Sequence, residues 1–363
     1  MTVRAQHTYR SAPIIFCHFG NSPYLPYVFA CATLSNPGKQ IVLLGDESNR
    51  RTAERFGLVH VPFAAIPQGE ATATFEHVYR RVTGPKCGHL RDGTDWIKFV
   101  FKRWFHVYDF LSRNKIRSFW HFDSDNMLLD DLSVHESRLA TYDCTEQCNG
   151  CCMNGYMANC DVLGRYLSKI NELFQRKELL DTMSREFHDV HLTYAFTEMR
   201  AYKIFKQEDH LRTFHLNAVT DGTAFDDCIC QEHGMEMERL YFGKHIKKVF
   251  LSDNGQFHCR SLSDHTFVRM ASLNLSWVPI FVFDNVLRHR QQRTSTGKTC
   301  VPHEFSGNAH TLASSPLSWS YLLKDGPREV WRYGLTHAVY PIREQYLAKK
   351  ADVFRMSARK PAE

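Results

Sequence analysis

Short apolar runs alternate with helical patterns over the first third of the chain. The runs at residues 12–17, 40–44 and 58–63 have the length and apolar content of buried strands. Between the first two runs, the pattern predicts a helix over residues 24–34 that stops at the turn sequence Asn36-Pro37-Gly38. A strand, a helix and a second strand in this order predict an α/β protein whose sheet is mostly parallel.

A longer helix leads into the segment with the clearest chemical signal. Apolar residues recur at helical spacing over residues 94–111, and the apolar run at 117–122 predicts a further buried strand. This strand runs directly into Asp123-Ser124-Asp125, hereafter the Asp-x-Asp motif. Ligands bind at the carboxyl ends of strands in open α/β sheets, so we expect both carboxylates at a ligand site.

Two carboxylates in such a position call for a cation, because they repel each other and lose solvent. Their hard oxygen atoms suit Mn²⁺ or Mg²⁺, and these ions keep coordination positions open for substrate phosphates. The motif therefore predicts an enzyme that acts on a phosphorylated donor.

The remaining pattern is less regular. It predicts helices over residues 51–56, 161–174 and 193–205, a buried strand over 276–283, a polar loop over 288–298 and a frayed helix over 350–363. The sequence has no internal repeat and no low-complexity linker. It therefore predicts one large domain over residues 1–320, with halves of 1–130 and 131–320, and a helical extension over 321–363.

Composition narrows the class of protein. The 363 residues include 45 basic and 39 acidic side chains, and the formal charge of +6 is too small and diffuse to predict a nucleic-acid partner. There is no apolar run of about 18 residues, so no transmembrane segment is predicted, and residues 1–11 lack the apolar stretch of a signal peptide. We therefore expect a cytoplasmic protein, either free or peripheral to a membrane.

Five of the twelve cysteines lie between Cys144 and Cys160. Cys148-x-x-Cys151 has the spacing of zinc ligands, so a structural zinc site is one interpretation, and disulfides are another. The sequence lacks a second separate Cys-x-x-Cys pair, and Cys151 and Cys152 are adjacent. These features favour buried free thiols, which pack as small apolar side chains.

The residues around the Asp-x-Asp motif resemble those of GT-A-type glycosyltransferases, which use nucleotide-sugars. The resemblance is carried by the α/β start, by the helix with Phe99, Trp104 and Asp109, and by the motif that ends the next strand. Together with Asp221-Gly222-Thr223, these residues are similar to soluble enzymes of bacterial capsule and lipopolysaccharide pathways, and the similarity covers about residues 13–312.

This resemblance implies a Rossmann-like fold with a mostly parallel central sheet flanked by helices and a mixed C-terminal portion. Residues 1–130 would bind the nucleotide and residues 131–320 the acceptor. The implied reaction is metal-dependent transfer of a sugar from a nucleoside diphosphate sugar to a hydroxyl of a glycan or another acceptor, as in polysaccharide biosynthesis.

The resemblance also implies roles at the donor site. Asp125 would ligate the metal directly, and Asp123 would contact the metal or the ribose. Three residues after the first strand, namely His18, Phe19 and Gly20, would line the nucleobase. Asp46 would contact the base or the ribose, although an Asx turn or helix cap explains it equally well. Arg103 would reach the phosphates, with a surface position on its helix as the alternative.

Family members of this shape carry a third metal ligand near the C-terminus. In this chain the corresponding ligand is Glu304 or the adjacent His303, and His310 stands where the family has a phosphate-binding lysine.

An inverting transferase also needs a general base for the acceptor hydroxyl. Our candidate is Asp221, with Asp226 and Asp227 as alternatives. If the enzyme retains configuration, Asp221 would instead orient the acceptor, and a helix cap is its structural alternative.

Two other functions remain open. One is a zinc-stabilised interaction or nucleic-acid-binding module built on the cysteines, which would leave the Asp-x-Asp motif unexplained. The other is a sugar-1-phosphate nucleotidyltransferase, but Phe19-Gly20-Asn21-Ser22 is not the glycine-rich basic loop of that class. The chain has no Gly-x-Gly-x-x-Gly and no P-loop sequence, which argues against dinucleotide oxidoreductases and P-loop NTPases.

Overall fold

The computed structural model describes residues 11–88, 96–239, 245–252 and 255–294, with side chains up to residue 291. The chain divides into two compact units, Met1–Gly307 and Asn308–Glu363, and every described residue lies in the first unit. The predicted extension at 321–363, with its helix at 350–363, therefore lies outside the described residues.

Parallel strands form one side of a large central sheet. The strands of the first half are β1 (Ile14–Cys17), β2 (Ile41–Gly45), β3 (Val59–Pro62), β4 (Phe119–His121), β5 (Asn126–Leu128), β6 (Cys144–Glu146) and β7 (Gly155–Met157). The central sheet has the order β3-β2-β1-β4-β7-β6, continued by β8 (Thr213–His215). Strands β3, β2, β1 and β4 are parallel, whereas β7 is antiparallel to both β4 and β6. Strands β1 and β2 are buried along their whole length, as expected of parallel strands covered on both faces.

A second sheet is mostly antiparallel. It is formed by β5, β9 (Thr223–Phe225), β12 (Val249–Leu251), β13 (Phe257–Arg260) and β14 (Phe267–Asn274), while β10 (Met237–Arg239) pairs with β11 (His245–Lys247). The order is β12-β13-β14-β5, and β9 runs parallel to β14. Strand β4 belongs to the first sheet and β5 to the second, so the chain crosses between the sheets at the Asp-x-Asp motif.

Helices flank the sheets. They are α1 (Leu25–Ser35), α2 (Glu47–Arg55), α3 (Glu70–Val78), α4 (Trp96–Asn114), α5 (Ser133–Leu139), α6 (Asp161–Gln175), α7 (Lys177–Asp189), α8 (Glu198–Glu208) and α9 (Ile280–Thr294). Helix α4 buries one face at three- and four-residue spacing, and Phe101 on it packs against Phe174 of α6 and against Phe196, with ring centroids 5.3 and 5.5 Å apart. These aromatic contacts pack α4 against α6 and the segment before α8, and so help to position the residues that α4 carries toward the motif.

Most predicted elements are confirmed. The strands predicted at 12–17, 40–44, 58–63 and 117–122 agree with β1 to β4 within two residues at each end. Helices α1, α4 and α6 also agree closely, whereas α2 begins before residue 51 and α8 begins after residue 193. The mixed α/β architecture with a largely parallel central sheet is as predicted.

The predictions for residues 276–283 and 288–294 were wrong. In place of the expected strand at 276–283 and the expected loop at 288–298, helix α9 extends from Ile280 to Thr294, and residues 295–298 lie outside the described residues. Val282, Phe283 and Val286 are buried at helical spacing, and Phe283 stacks on Tyr24 with ring centroids 5.1 Å apart. A short apolar run does not distinguish a strand from a buried helical turn, so the contact with α1 decides the conformation.

None of the helices in the described ranges has both the length and the apolar character needed to cross a membrane.

Candidate functional site

The Asp-x-Asp motif lies where the strand order of the central sheet reverses. The chain places β2 and β3 on one side of β1 and then returns to place β4 on the other side. In open α/β sheets this reversal opens a crevice at the carboxyl ends of the strands. The loop after β1 contacts the motif directly, because the Nδ1 atom of His18 lies 2.7 Å from the Oγ atom of Ser124. The structure therefore brings the predicted nucleoside loop and the predicted metal motif together.

Asp123 is half-buried and electrostatically compensated. One terminal nitrogen of Arg103 donates to its Oδ1 atom, and the Asn154 Nδ2 atom donates to its Oδ2 atom over 3.3 Å. Burial raises the pKa of Asp123, but the charge of Arg103, the neighbouring His121 and the hydrogen bonds from Asn154 and Arg103 together outweigh burial, so the net shift is downward. Asp123 is therefore an anion with a fixed cationic partner.

The surroundings of Asp125 differ from those of Asp123. The Ser276 hydroxyl donates to its Oδ2 atom over 2.7 Å, and the Leu275 backbone N–H donates to its carbonyl oxygen over 3.0 Å. Burial and the neighbouring charge of Asp123 raise the pKa of Asp125 to about 6. Within the described ranges, no basic side chain forms an ion pair with Asp125. Asp125 is thus the carboxylate whose charge still needs compensation.

Arg103 is buried between two carboxylates and is not the surface arginine of our alternative interpretation. One terminal nitrogen contacts Asp123, and the other lies 3.0 Å from the Oε1 atom of Glu198. Burial opposes the charge on Arg103, but the two carboxylates outweigh it and raise its pKa further. Glu198, the first residue of α8, is 7% exposed, and burial raises its pKa to about 7.

A side chain of α2 holds the loop after β1 in place. Asn49 on α2 is buried and donates to the carbonyl oxygens of His18 and Gly20 over 3.0 and 2.9 Å. Gly20 adopts a φ of +83°, a region that favours glycine, and its Cα faces open space. Burial lowers the pKa of His18 to about 4, so its ring is neutral at pH 7.

Asp46 acts as a helix cap. Its carboxylate accepts from the backbone N–H of Ser48 over 2.8 Å and from that of Gly20, and the residue is the N-cap of α2. Both carboxylate oxygens are therefore committed to the protein, as in the alternative interpretation. Phe19 differs from its neighbours because the residue is 65% exposed, and its ring centroid lies 5.7 Å from that of Phe99.

The structure does not bring Asp221 to the Asp-x-Asp motif. Asp221 is exposed at a φ of +50°, beside Gly222, whose carbonyl accepts from Arg269 at the start of β14. The motif contacts the opposite end of that strand, where Asn274 pairs with Asn126. Five residues of β-strand correspond to roughly 17 Å. The spacing along the sequence could not show that Asp221 lies far from the motif. The direction of β14 determines which end of its neighbour β9 approaches the motif, and that direction is known only from the fold.

The two alternatives to Asp221 lie at the nearer end. Asp226 forms a buried ion pair with Lys247 over 2.6 Å, and its second oxygen accepts from the backbone of Asn274 over 3.0 Å. Asp227 accepts from the backbone of Asn149 over 2.6 Å and lies 3.7 Å from the ring of His233. Asn274 also donates to the Asp227 carbonyl over 2.9 Å, so both aspartates belong to the network beneath the motif.

The predicted third metal ligand, Glu304 or His303, and the predicted phosphate contact His310 lie outside the described residues. Among the described residues, no group of three or more His, Cys, Asp or Glu side chains is arranged to hold a metal ion. The donor set of the motif still fits a hard divalent cation, because Asp125 offers carboxylate oxygens without a basic partner and has a raised pKa. The motif would supply two ligands of such a site.

The described cysteines are free thiols. Cys148, Cys151 and Cys152 lie in a tight turn in which Cys148 has a φ of +54° and the next two residues also have positive φ. Asn154, which contacts Asp123, donates from its backbone N–H to the Cys152 carbonyl over 3.0 Å. The predicted cluster therefore borders the motif, and its described members do not form a zinc site.

The sequence did not predict four residues of the site, namely Asn49, Asn154, Glu198 and Ser276. They carry no motif, and each meets its partner only through the fold. For Glu198, the onset of a helix after Thr197 is the only local signal.

Comparisons with known proteins add little. No protein-family model matches the chain, and no curated protein matches it. Among solved structures, the glycosyltransferase GlyE of Streptococcus pneumoniae TIGR4 aligns at 14% identity with a TM-score of 0.31, covering 57% of this chain and 45% of that chain. The chain thus aligns with less than half of that structure, and similarity at this level assigns neither fold nor activity.

Proposed function

We propose that this protein is a GT-A-type, metal-dependent glycosyltransferase. It moves a sugar from a nucleoside diphosphate sugar to a hydroxyl of a glycan or another acceptor, with polysaccharide biosynthesis as the setting. One observation carries the proposal: the Asp-x-Asp motif lies at the reversal of strand order, with Asp125 lacking a basic partner in the described chain and Arg103 beside it.

The donor would bind across the loop after β1 and the motif. The exposed Phe19 ring offers a face for a nucleobase, and Gly20 allows close approach to the backbone. Arg103 supplies charge-assisted hydrogen bonds to the diphosphate. Asp125 and Asp123 would hold Mn²⁺ or Mg²⁺, and the bound ion would neutralise charge on the departing diphosphate.

The acceptor side would be served by Asp227 rather than by Asp221. Asp226 forms an ion pair with Lys247, whereas the contacts of the Asp227 carboxylate within the described residues are with the Asn149 backbone and the His233 ring. In an inverting reaction Asp227 would take the proton of the acceptor hydroxyl. No observation in the described chain favours the zinc module or the nucleotidyltransferase over this function.

Thermal stability with ligands tests the proposal. Ligand at about 100 times its Kd stabilises the folded state by about 2.7 kcal/mol, which corresponds to a Tm rise of roughly 5 °C for a domain of this size. We expect such a rise for Mn²⁺ with at least one of UDP, GDP, CDP, ADP or TDP, and hydrolysis of the matching sugar nucleotide.

Two variants locate the response. Asp125→Asn should abolish the metal-dependent rise, whereas Asp221→Asn, which changes an exposed carboxylate far from the motif, should retain it. A wild-type protein that is silent across the whole panel, or an unaltered rise in Asp125→Asn, would contradict the proposal.

A further inference from the structure

Two carboxylates and one guanidinium form a largely buried group at the edge of the motif. The side chain of Arg103 is 11% exposed, and it lies between Asp123 and Glu198, the latter with a side chain 9% exposed. Glu198 is anchored at the start of α8, where its carbonyl accepts from the Tyr166 hydroxyl over 2.6 Å. The proposed donor site uses Asp123, Asp125 and Arg103 but gives no role to Glu198.

The group leaves two buried atoms without partners. The Nε atom of Arg103 and the Oε2 atom of Glu198 make no hydrogen bond within the described structure. Buried polar atoms of this kind are costly, and each one calls for an explanation. A simple structural ion pair would be expected to satisfy them with a two-fold contact between the guanidinium and a single carboxylate. Arg103 is instead shared, with one terminal nitrogen on each carboxylate.

Sharing creates a competition at Asp123. While Arg103 neutralises Asp123, that carboxylate offers less charge to a divalent cation, because both cations use the same oxygens. Binding of a metal would therefore weaken the contact between Arg103 and Asp123. If Asp123 were the only partner of Arg103, the guanidinium would then lose its fixed position.

We propose that Glu198 is a positioning residue that keeps Arg103 in place during this exchange. It holds one terminal nitrogen of Arg103, so that the other can leave Asp123 for a phosphate oxygen when metal and diphosphate bind. This inference rests on the proposed function, since it assigns to Glu198 the placement of the diphosphate contact at the same site.

The inference predicts effects of opposite sign on two ligands. In Arg103→Gln, Asp123 loses its competitor, so Mn²⁺ alone should bind about fivefold more tightly, while inorganic diphosphate in the presence of Mn²⁺ should bind at least about tenfold more weakly. In Glu198→Gln, Asp123 is the remaining anionic partner of Arg103. Both Mn²⁺ and diphosphate should then bind about fivefold more weakly.

The experiment is calorimetric titration of the full chain with Mn²⁺ alone and then with inorganic diphosphate at saturating Mn²⁺. Glu198→Asp, which retains the charge, should lie between wild type and Glu198→Gln. In the Arg103→Gln background, Glu198→Gln should have no further effect on Mn²⁺. Glu186→Gln is the matched control, because Glu186 on α7 pairs at 3.0 and 2.9 Å with Arg200, which lies on α8 like Glu198.

The outcomes separate the two proposals. Wild-type protein that binds neither Mn²⁺ nor diphosphate would overturn the proposed function, and this inference with it. Wild-type binding that is unchanged in Glu198→Gln, or equal shifts of Mn²⁺ affinity in the same direction for Arg103→Gln and Glu198→Gln, would overturn the role of Glu198 alone. Circular dichroism of each variant identifies any loss of folding, and Glu198→Asp provides the test if Glu198→Gln does not fold.

Discussion

The two carboxylates of the Asp-x-Asp motif are chemically distinct although they are two residues apart. Asp123 has a guanidinium and an amide as partners, and its pKa is lowered. Asp125 has a serine hydroxyl, and its pKa is raised to about 6. A pair of carboxylates whose environments separate their pKa values is a common feature of functional sites. This separation makes Asp125 the residue at which a bound cation would gain most.

Ser276→Ala tests the hydrogen bond that the Ser276 hydroxyl donates to Asp125. The substitution removes a hydrogen bond to the carboxylate, so the pKa of Asp125 should rise further and Mn²⁺ should bind roughly tenfold more weakly. Protonation competes with the metal as the pH falls toward the pKa of Asp125, which is about 6, so the defect should be larger at pH 6 than at pH 7.5. Calorimetric titrations at both pH values measure it. Ser168→Ala, on the exposed face of α6, is the control, and equal affinities for Ser276→Ala and wild type would refute the role of the hydroxyl.

Residues of the site differ in how well sequence predicts them. The Asp-x-Asp motif was predictable because its two carboxylates end an apolar strand, so position and chemistry are encoded locally. Ser276 was not predictable, since it meets Asp125 across 151 positions of the chain. Asp46 had two local interpretations, and only the observed contacts with Ser48 and Gly20 select the helix cap.

At the scale of elements, the β1–β4 pair determines the geometry of the motif. His121 on β4 is fully buried, and its Nδ1 atom lies 3.0 Å from the Ile15 carbonyl oxygen on β1. Burial, followed by the charge of Arg103, lowers the pKa of His121 to about 4. The ring is therefore neutral in the folded protein, whereas an unfolded histidine titrates at about 6.5.

This difference predicts acid destabilisation through β4. The unfolded chain binds the proton more readily, so stability should be complete above about pH 6.5 and should decrease as the pH falls toward 4, by up to roughly 3 kcal/mol. His121→Asn retains an N–H donor near Ile15 and removes the titration. Urea unfolding at pH 7 and pH 4.5 should show a smaller pH dependence for His121→Asn than for wild type. The exposed His188 on α7 supplies the control His188→Asn, and an unaltered pH dependence in His121→Asn would exclude this role.

The sequence predicted helices and strands correctly where the hydrophobic pattern was long, and incorrectly where tertiary contacts determine the conformation. The 19 residues of α4 carry enough helical periodicity to be recognised, and β1 and β2 are continuous apolar runs. Helix α9 was missed because the run before Phe283 is short and its conformation depends on packing against α1. The distance of Asp221 from the motif has the same origin, because β9 is parallel to β14, so Asp226 and Asp227 follow β9 at the end nearer the motif and Asp221 precedes it at the other end.

At the scale of the whole molecule, the site depends on both sheets. The motif connects β4 of the central sheet to β5 of the second sheet, and Asn126 at the start of β5 pairs with Asn274 of β14. A chain of contacts extends from there into the second sheet. The hydroxyl of Ser276 donates to Asp125, and the backbone N–H of Ser276 donates to the Oδ1 atom of Asn274 over 3.1 Å. The backbone N–H of Asn274 in turn donates to Asp226.

This series of contacts ends at the buried ion pair of Asp226 with Lys247. Removal of the ion pair should affect both the stability of the fold and the proposed metal site. Both side chains are at most 3% exposed, so Lys247→Ala leaves a buried carboxylate uncompensated and should cost about 3–5 kcal/mol in urea unfolding. The loss of support at Asn274 should also reduce the Mn²⁺-dependent rise in Tm. Lys248→Ala is the matched control, because the neighbouring Lys248 pairs with Glu236 in a partly exposed position and should cost about 1 kcal/mol or less. If Lys247→Ala were destabilised but kept the full Mn²⁺ response, the second sheet would stabilise the fold without shaping the motif.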